Sequence, residues 1–321
     1  CPNPACEAEV PLLSSLDLGR KSGQERWLRP LIRGGQVTFE VVSGPRAMEA
    51  NKRGQGANFV CWVCGGPVDA DYVHGQLDVA HKPPCRLLAV VAAGNRQRVY
   101  LEPDELHAAA ATSADTDGEK IRASDDAVSA AARGTFGGNA QGRRYGFFAF
   151  SDYFTNRQLV ALTTFSDLVM EVRERVLDDA LAAGLPPGER LQAAGAGAEA
   201  YADAVATYLG LVTSKATNLN SALTSWMSDR GALREVFARQ AIPMVWDFAE
   251  ANILGDAGGG WHTTLERVAD VLDFLPAPPD GETRVTQHDA AVGRLSEGAL
   301  CTDPPYYDNI VYSDLSDYFY V

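Results

Sequence analysis

The sequence predicts an α/β chain in which a β-rich, cysteine-bearing segment and a helical block precede a final strand-and-loop unit. Three observations predict it. Gln36-Val37-Thr38-Phe39-Glu40-Val41-Val42 alternates polar and apolar residues, the period of a half-buried strand. Leu159, Leu162, Phe165, Leu168, Val169 and Val172 recur at spacings of three and four, the period of a helix. Near the C-terminal end, residues 283–289 read as a strand, a short connector follows, and Gly298-Ala299-Leu300-Cys301-Thr302 runs into Asp303-Pro304-Pro305-Tyr306. Strand, connector, strand and a proline-locked loop form the pattern of the carboxyl edge of an α/β sheet, where ligands bind.

The elements follow in order. Residues 1–107 form the β-rich part, with further strands at 87–93 and 98–101. Gly34-Gly35, Gly44-Pro45 and Gly65-Gly66-Pro67 punctuate it as turns. Residues 108–150 are rich in Ala, Ser, Asp and Gly in their first part, and read as a connector with a short helix. Residues 151–280 form an α-helical block. Its first helix covers about 156–180, with Asn156 in the N-cap neighbourhood, and Gly184-Leu-Pro-Pro-Gly188 stops it. A second covers 197–213, and more helix is expected at 218–227, 230–240 and 261–275. Residues 281–321 hold the final unit, and no internal repeat is present.

The chain has 321 residues, room for about two domains. With 46% apolar and 22% charged residues it belongs among globular proteins rather than disordered ones. No run of about 18 apolar residues occurs, so no membrane span is expected. The opening Cys-Pro-Asn-Pro-Ala-Cys has neither the basic nor the apolar region of a signal peptide. The chain starts at Cys1 and stops at Val321 inside an apolar run, so part of the function is expected to depend on sequence beyond both ends. A net charge of −14 by itself argues against nucleic acid as a partner. Residues 1–100, however, hold 12 Lys and Arg against 9 Asp and Glu, so the cysteine-bearing part is basic. A local basic surface is all that a nucleic-acid-modifying enzyme needs.

Six cysteines are too few for a disulfide scaffold. Four fall in two close pairs, which suits a metal site in a reducing cytosol. Cys61-Trp-Val-Cys64-Gly65-Gly66 has the form of a zinc knuckle, two thiolates on a tight turn followed by glycine. Cys1 and Cys6 stand across a wider gap stiffened by prolines. Cys1, Cys6, Cys61 and Cys64 are therefore the expected tetrahedral zinc ligands, and a four-thiolate site has a structural role. The plain alternative is four unliganded thiols. Cys85 and Cys301 read as buried residues. His74 and His81 are substitute ligands at most, and read as surface residues.

The Asp303 loop brings together groups that suit a planar, amino-bearing base. Asp303 offers a carboxylate acceptor. Pro304 has no N–H and a fixed φ, so its carbonyl is held as a second acceptor. Pro304 and Pro305 stiffen the loop and pre-organise both acceptors. Tyr306, with Tyr307 beside it, offers a flat stacking face. The exocyclic nitrogen of a base is a poor nucleophile, and attack by it needs such acceptors, a flipped and stacked base, and an electrophile in line. An ordinary turn is the plain alternative.

Four stretches then carry a resemblance. They are Thr302-Asp-Pro-Pro-Tyr-Tyr-Asp-Asn-Ile-Val-Tyr-Ser-Asp-Leu-Ser-Asp-Tyr-Phe-Tyr-Val321, Tyr153-Phe-Thr-Asn-Arg-Gln-Leu-Val-Ala-Leu-Thr-Thr-Phe-Ser-Asp-Leu168, Arg239-Gln-Ala-Ile-Pro-Met-Val-Trp-Asp-Phe-Ala-Glu-Ala-Asn252, and the opening Cys-Pro-Asn-Pro-Ala-Cys-Glu-Ala-Glu-Val-Pro-Leu. In matching order they resemble prokaryotic adenine-specific DNA methylases with an embedded zinc-ribbon region. The resemblance implies a partial Rossmann-like fold dependent on S-adenosylmethionine, with a zinc-ribbon insert and a helical insert. It implies N6 methylation of adenine in double-stranded DNA, in the cytoplasm near the nucleoid, within restriction-modification or anti-phage defence and its partner proteins. Asp303, Pro304, Pro305 and Tyr306 would be the catalytic loop, and Asp289 a weak candidate contact to the donor. The family's Gly-rich donor motif is missing. Gly134-Thr-Phe-Gly-Gly138 is not preceded by a strand and is rejected as that motif. The motif is expected upstream of Cys1, which would leave these residues inactive alone. Cytosine N4 methylation, RNA as substrate, and a non-catalytic zinc-ribbon nucleic-acid-binding protein stay open; Asp303 in place of Ser leans towards adenine.

Three further groups are candidates for base or phosphate contact. Trp246, Asp247 and Glu250 either line a substrate site or start a helix around a packed Trp. Arg143-Arg144-Tyr145 with Phe147 and Phe148 either touches nucleic acid or packs a loop end on the core. Asn156-Arg157-Gln158 either touches DNA or starts a helix.

Overall fold

The computed structural model describes residues 1–80, 85–95, 97–132, 142–275, 289, 291–292, 299, 301–304, 306 and 310–320. Its strands form small antiparallel sheets. β1 (Asp17–Gly19), β2 (Arg26–Arg33) and β3 (Gln36–Ser43) make a three-stranded meander in the order β1-β2-β3. Between β2 and β3 the chain reverses through Gly34 and Gly35, at φ of 55° and 80°. Two successive positive φ values are what a two-residue hairpin matching the strand twist needs, and glycine adopts them without a Cβ penalty. β4 (Phe59–Val60) pairs with β5 (Pro67–Val68), and α1 (Ala70–Ala80) follows. β6 (Val90–Ala93) pairs with β7 (Arg98–Leu101) as a hairpin.

The segment after residue 104 is more ordered than its composition suggests. It contains α2 (Glu105–Thr112) and α3 (Asp115–Arg122). Arg122 donates to the Asn156 side chain at 2.9 Å and to the Ser151 carbonyl at 2.7 Å. Burial holds its guanidinium below the ordinary arginine value, with the neighbouring Asp152 and Glu119 opposing that shift. α3 is thereby pinned to the start of α4 (Asn156–Ala182). The N-cap of α4 is Thr155, one residue before the position expected. The Thr155 hydroxyl accepts from the Gln158 amide and the Gln158 side chain accepts from the Thr155 amide, a reciprocal capping box.

α4 lies along α5 (Ala198–Thr217), and α5 against α6 (Trp261–Phe274). Phe165 stacks on Trp261 at 4.1 Å between ring centroids, which joins α4 to α6. At the other end of the pair, Arg173 has a side chain only 7% exposed and contacts Asp203, Glu199 and Glu174 at 2.7, 2.7 and 2.8 Å. Arg190 reaches Asp203 as well, at 2.9 Å. The two helices expected at 218–227 and 230–240 are instead a hairpin, β8 (Ser225–Met227) with β9 (Ala232–Arg234). Its turn closes with Gly231 at φ 62°, donating to the Met227 carbonyl at 2.7 Å. Short apolar runs fit either period, and the Asp229-Arg230-Gly231 turn decides between them.

The expected Rossmann-like α/β fold is not found. Every sheet among the described residues is antiparallel and has two or three strands. A parallel sheet needs helical crossovers between its strands, whereas here the long helices pack on one another. Residues 283–288 lie outside the described residues, and Asp289, Ala299, Cys301 and Thr302 belong to no strand. The last described element is α7 (Tyr312–Tyr320). Among the described residues, no helix is long and apolar enough to cross a membrane.

One buried cluster joins parts of the chain that are far apart in sequence. It includes Phe59, Cys61, Val73, Phe147, Tyr153, Leu159, Leu223 and Tyr318. A second, under the meander, holds Leu13, Leu16, Trp27, Leu28 and Ala50.

Removing the cap by Thr155→Ala should cost about 1 kcal/mol in thermal or urea unfolding; no change would show that Gln158 alone orders the helix start. Arg190 and Arg173 hold the Asp203 carboxyl well below the usual carboxylate range. The stability this gives is complete above the unfolded value of about 3.9 and is lost as pH falls through the lower folded value. Melting curves between pH 5 and pH 2 should therefore decline more steeply for the wild type than for Asp203→Asn.

Candidate metal centre and the Asp-Pro-Pro-Tyr segment

The two cysteine pairs meet. One sulfur from each of Cys1, Cys6, Cys61 and Cys64 lies within 4.8 Å of all the others. Across the pairs, Cys1 and Cys64 stand 3.7 Å apart and Cys6 and Cys61 stand 3.9 Å apart. A tetrahedral ion with metal–sulfur bonds of roughly 2.3 Å has ligands roughly 3.8 Å from one another. All four are free thiols, and the spacing is far beyond the roughly 2 Å of a disulfide. The four cysteines can therefore hold a metal ion.

The two halves of the centre are built alike. In the second, the Gly65 amide donates to the Cys61 carbonyl at 3.0 Å and the Cys61 amide to the Gly66 carbonyl at 2.9 Å. In the first, the Glu7 amide donates to the Asn3 carbonyl at 3.2 Å and the Cys1 nitrogen to the Ala8 carbonyl at 2.8 Å. The residue after the second cysteine has positive φ in each, 70° at Gly65 and 48° at Glu7. The next amide then points at sulfur. Gly66 N–H donates to Cys64 and holds its thiol below the ordinary value. Ala8 N–H donates to Cys6, but burial and the neighbouring Cys64 and Cys61 thiols outweigh it and leave Cys6 raised.

Asn51, which the sequence reading missed, ties the halves together. It is 3% exposed, accepts from the Leu13 amide at 3.0 Å, and donates to the Pro11 and Val60 carbonyls at 2.9 and 3.1 Å. One side chain thus joins the segment leaving the first half to the strand entering the second. Trp62 adds a bond from its indole N–H to the Pro11 carbonyl at 2.8 Å. An isolated Asn between charged and small residues carries no pattern that marks such a role.

Cys85 and Cys301 are exposed rather than buried, because neither lies on an element that faces a core. His74 is half-buried against Tyr145 and stands outside the sulfur cluster, and His81 lies outside the described residues.

Asp303, Pro304 and Tyr306 are exposed, and Pro305 and Tyr307 lie outside the described residues. Asp303 has no ion-pair partner among the described residues. The Tyr306 amide donates to the Tyr312 hydroxyl at 3.3 Å. α7 anchors this segment through Tyr318, which is 2% exposed. Its ring stacks on Phe154 at 5.7 Å and its hydroxyl donates to the Thr217 carbonyl at 3.3 Å. Burial raises the Tyr318 hydroxyl well above the ordinary tyrosine value. Asp289 closes its own turn, accepting from the Ala291 amide at 2.8 Å.

The other candidates resolve into structural contacts. Trp246 packs edge-on against Phe59 and Tyr145, in a stretch that is not helical. Asp247 accepts from the Ser14 hydroxyl and the Ser15 amide. Glu250 pairs with Arg157 through contacts of 2.8 and 2.7 Å. Tyr145 and Phe147 are buried and Arg143 donates to the Ala132 carbonyl, so this loop end packs on the core; Arg144 remains exposed.

Cobalt(II) added to the reduced protein should bind one equivalent with an intense thiolate charge-transfer band. Cys64→Ser should weaken both band and affinity, and binding that ignores this change would place the ion elsewhere. In comparisons with protein-family models, with curated proteins and with solved structures, nothing matches the chain.

Proposed function

We propose that the protein methylates adenine at N6 in double-stranded DNA, with Asp303, Pro304, Pro305 and Tyr306 as its catalytic loop and a structural zinc on Cys1, Cys6, Cys61 and Cys64. The observation that carries the reading is the exposure of Asp303, Pro304 and Tyr306, with the Tyr306 amide bonded to Tyr312 of a helix fixed to the core by Tyr318. An acceptor and a flat ring stand free at its surface, on backbone stiffened by proline. The resemblance of four stretches to adenine-specific methylases supports the same reading.

S-adenosylmethionine supplies the methyl group in this reaction. Tyr306 stacks on the flipped adenine. The amino group donates one hydrogen bond to Asp303 and one to the Pro304 carbonyl, which draws electron density onto its nitrogen. With the methyl group accepted, the nitrogen would give up its surplus proton through Asp303 to solvent.

Zinc suits four thiolates better than hard cations do, and a closed four-thiolate shell leaves no position for substrate. The basic surplus of residues 1–100 fits DNA as the partner, and a cytoplasmic, nucleoid-associated role in restriction-modification or anti-phage defence, with the partner proteins of such systems, goes with the reading. A second reading is a non-catalytic zinc-knuckle protein that binds nucleic acid. The small antiparallel hairpin β4–β5, which carries Cys61 and Cys64, favours it.

Host DNA from cells expressing the full reading frame should contain N6-methyladenine by mass spectrometry. Asp303→Ala should lower it by about 100-fold or more, with DNA binding retained. Equal methylation in both would remove Asp303 from the chemistry, and DNA binding without any methylation would favour the second reading.

A further inference from the structure

The two halves of the metal centre differ in one respect. Cys61 and Cys64 are separated by two residues, and Cys1 and Cys6 by four. A longer gap should splay the sulfurs, yet both halves close with the same hydrogen bonds. The difference is absorbed at Asn3. Its carbonyl accepts from the Cys6 amide at 2.9 Å and the Glu7 amide at 3.2 Å, so the tight turn runs from Asn3 to Cys6. Cys61 holds the matching place in the second half, where its carbonyl accepts from Gly65. Asn3 thus occupies the turn position of a first ligand, while Cys1, two residues earlier, supplies the thiol.

The Asn3 side chain works on both sides of the centre. Its Oδ1 accepts from the Ala5 amide at 3.0 Å, which fixes the turn. Its Nδ2 stands 3.9 Å from the sulfur of Cys64, the most exposed of the four ligands. Four thiolates around a divalent cation leave a net charge of −2, and N–H donors aimed at sulfur offset it. Cys64 receives one from the Gly66 amide of its own half and one from Asn3 across the centre.

We propose that Asn3 is a positioning residue of the metal centre: it makes a four-residue cysteine gap behave as a two-residue one, and its amide bridges the halves by donating to Cys64. The proposal rests on the reading of the four cysteines as metal ligands. It also implies that the turn position held by Asn3 can still carry a ligand.

The test uses the full chain, with zinc affinity measured against a chromophoric chelator and cobalt(II) spectra recorded at saturating metal. Asn3→Asp keeps the acceptor for Ala5, loses the donor to Cys64 and sets a carboxylate beside the thiolates, so any bridging role must show as weaker binding. It should bind zinc about 10-fold more weakly than the wild type, the usual cost of losing a partner of a ligand, while keeping a tetrahedral cobalt spectrum. Cys1→Ala should lose thiolate charge-transfer intensity, and adding Asn3→Cys to it should restore that intensity. Zinc affinity of Asn3→Asp within twofold of the wild type would overturn the bridge. A double variant no better than Cys1→Ala would overturn the turn equivalence. A wild-type chain with no thiolate-to-cobalt band would overturn the metal reading itself, which separates that failure from the other two.

Discussion

Four sulfurs gathered within 4.8 Å set the layout of the N-terminal part. The contacts between the halves join residues 63 and 55 positions apart. Closing a loop of that length costs about 4 kcal/mol in chain entropy. The thiols alone offer little to offset it, and crowding them together raises Cys6. A bound structural zinc contributes roughly 10 kcal/mol or more in small zinc-dependent folds. On the proposed reading the ion therefore adds a large term to what holds the halves together. Asn51 and the Trp62 indole then fix how they meet, through hydrogen bonds to Pro11, Leu13 and Val60.

The centre is not an isolated module. Cys61 is 1% exposed and belongs to the same buried cluster as Tyr153 and Leu159 at the start of the helical block, and as Tyr318 of α7. Asp247 reaches back to Ser14 and Ser15, and the Trp226 indole to the Leu18 carbonyl at 2.6 Å. The meander, the sulfur cluster and the helices thus share supports. The anchor of the Asp303–Tyr306 segment belongs to that network too, because Tyr318 rests on Phe154 and on the end of α5.

The long helices are held differently at their two ends. Near the core, apolar stacking of Phe165 on Trp261 and the Thr155 cap fix α4. Further along, the Arg173 cluster joins α4 to α5, with Arg173 on three carboxylates and Arg190 sharing Asp203. Exposed Met170 and Tyr201 lie beside this cluster.

Some of this was legible in the sequence because the signal was local. The alternation at 36–42 and the helical period from Leu159 to Val172 are properties of short windows, and β3 and α4 form where they stand. The two cysteine pairs were legible because thiol chemistry leaves few other uses for such spacing. What failed was non-local. The stretch before Asp303 looked like a sheet edge, but a strand exists only if another strand lies beside it, and the described Ala299, Cys301 and Thr302 have none. The hairpin at 225–234 was missed for the same reason, and Asn51 and Asn3 carried no pattern. By itself the sequence determined the strand at 36–43, the long helix after Thr155 and which cysteines could hold a metal ion. Only the tertiary structure decided that the sheets are antiparallel, which residues close the sulfur cluster and where the Asp303 segment is anchored, since each depends on contacts between residues far apart in the chain.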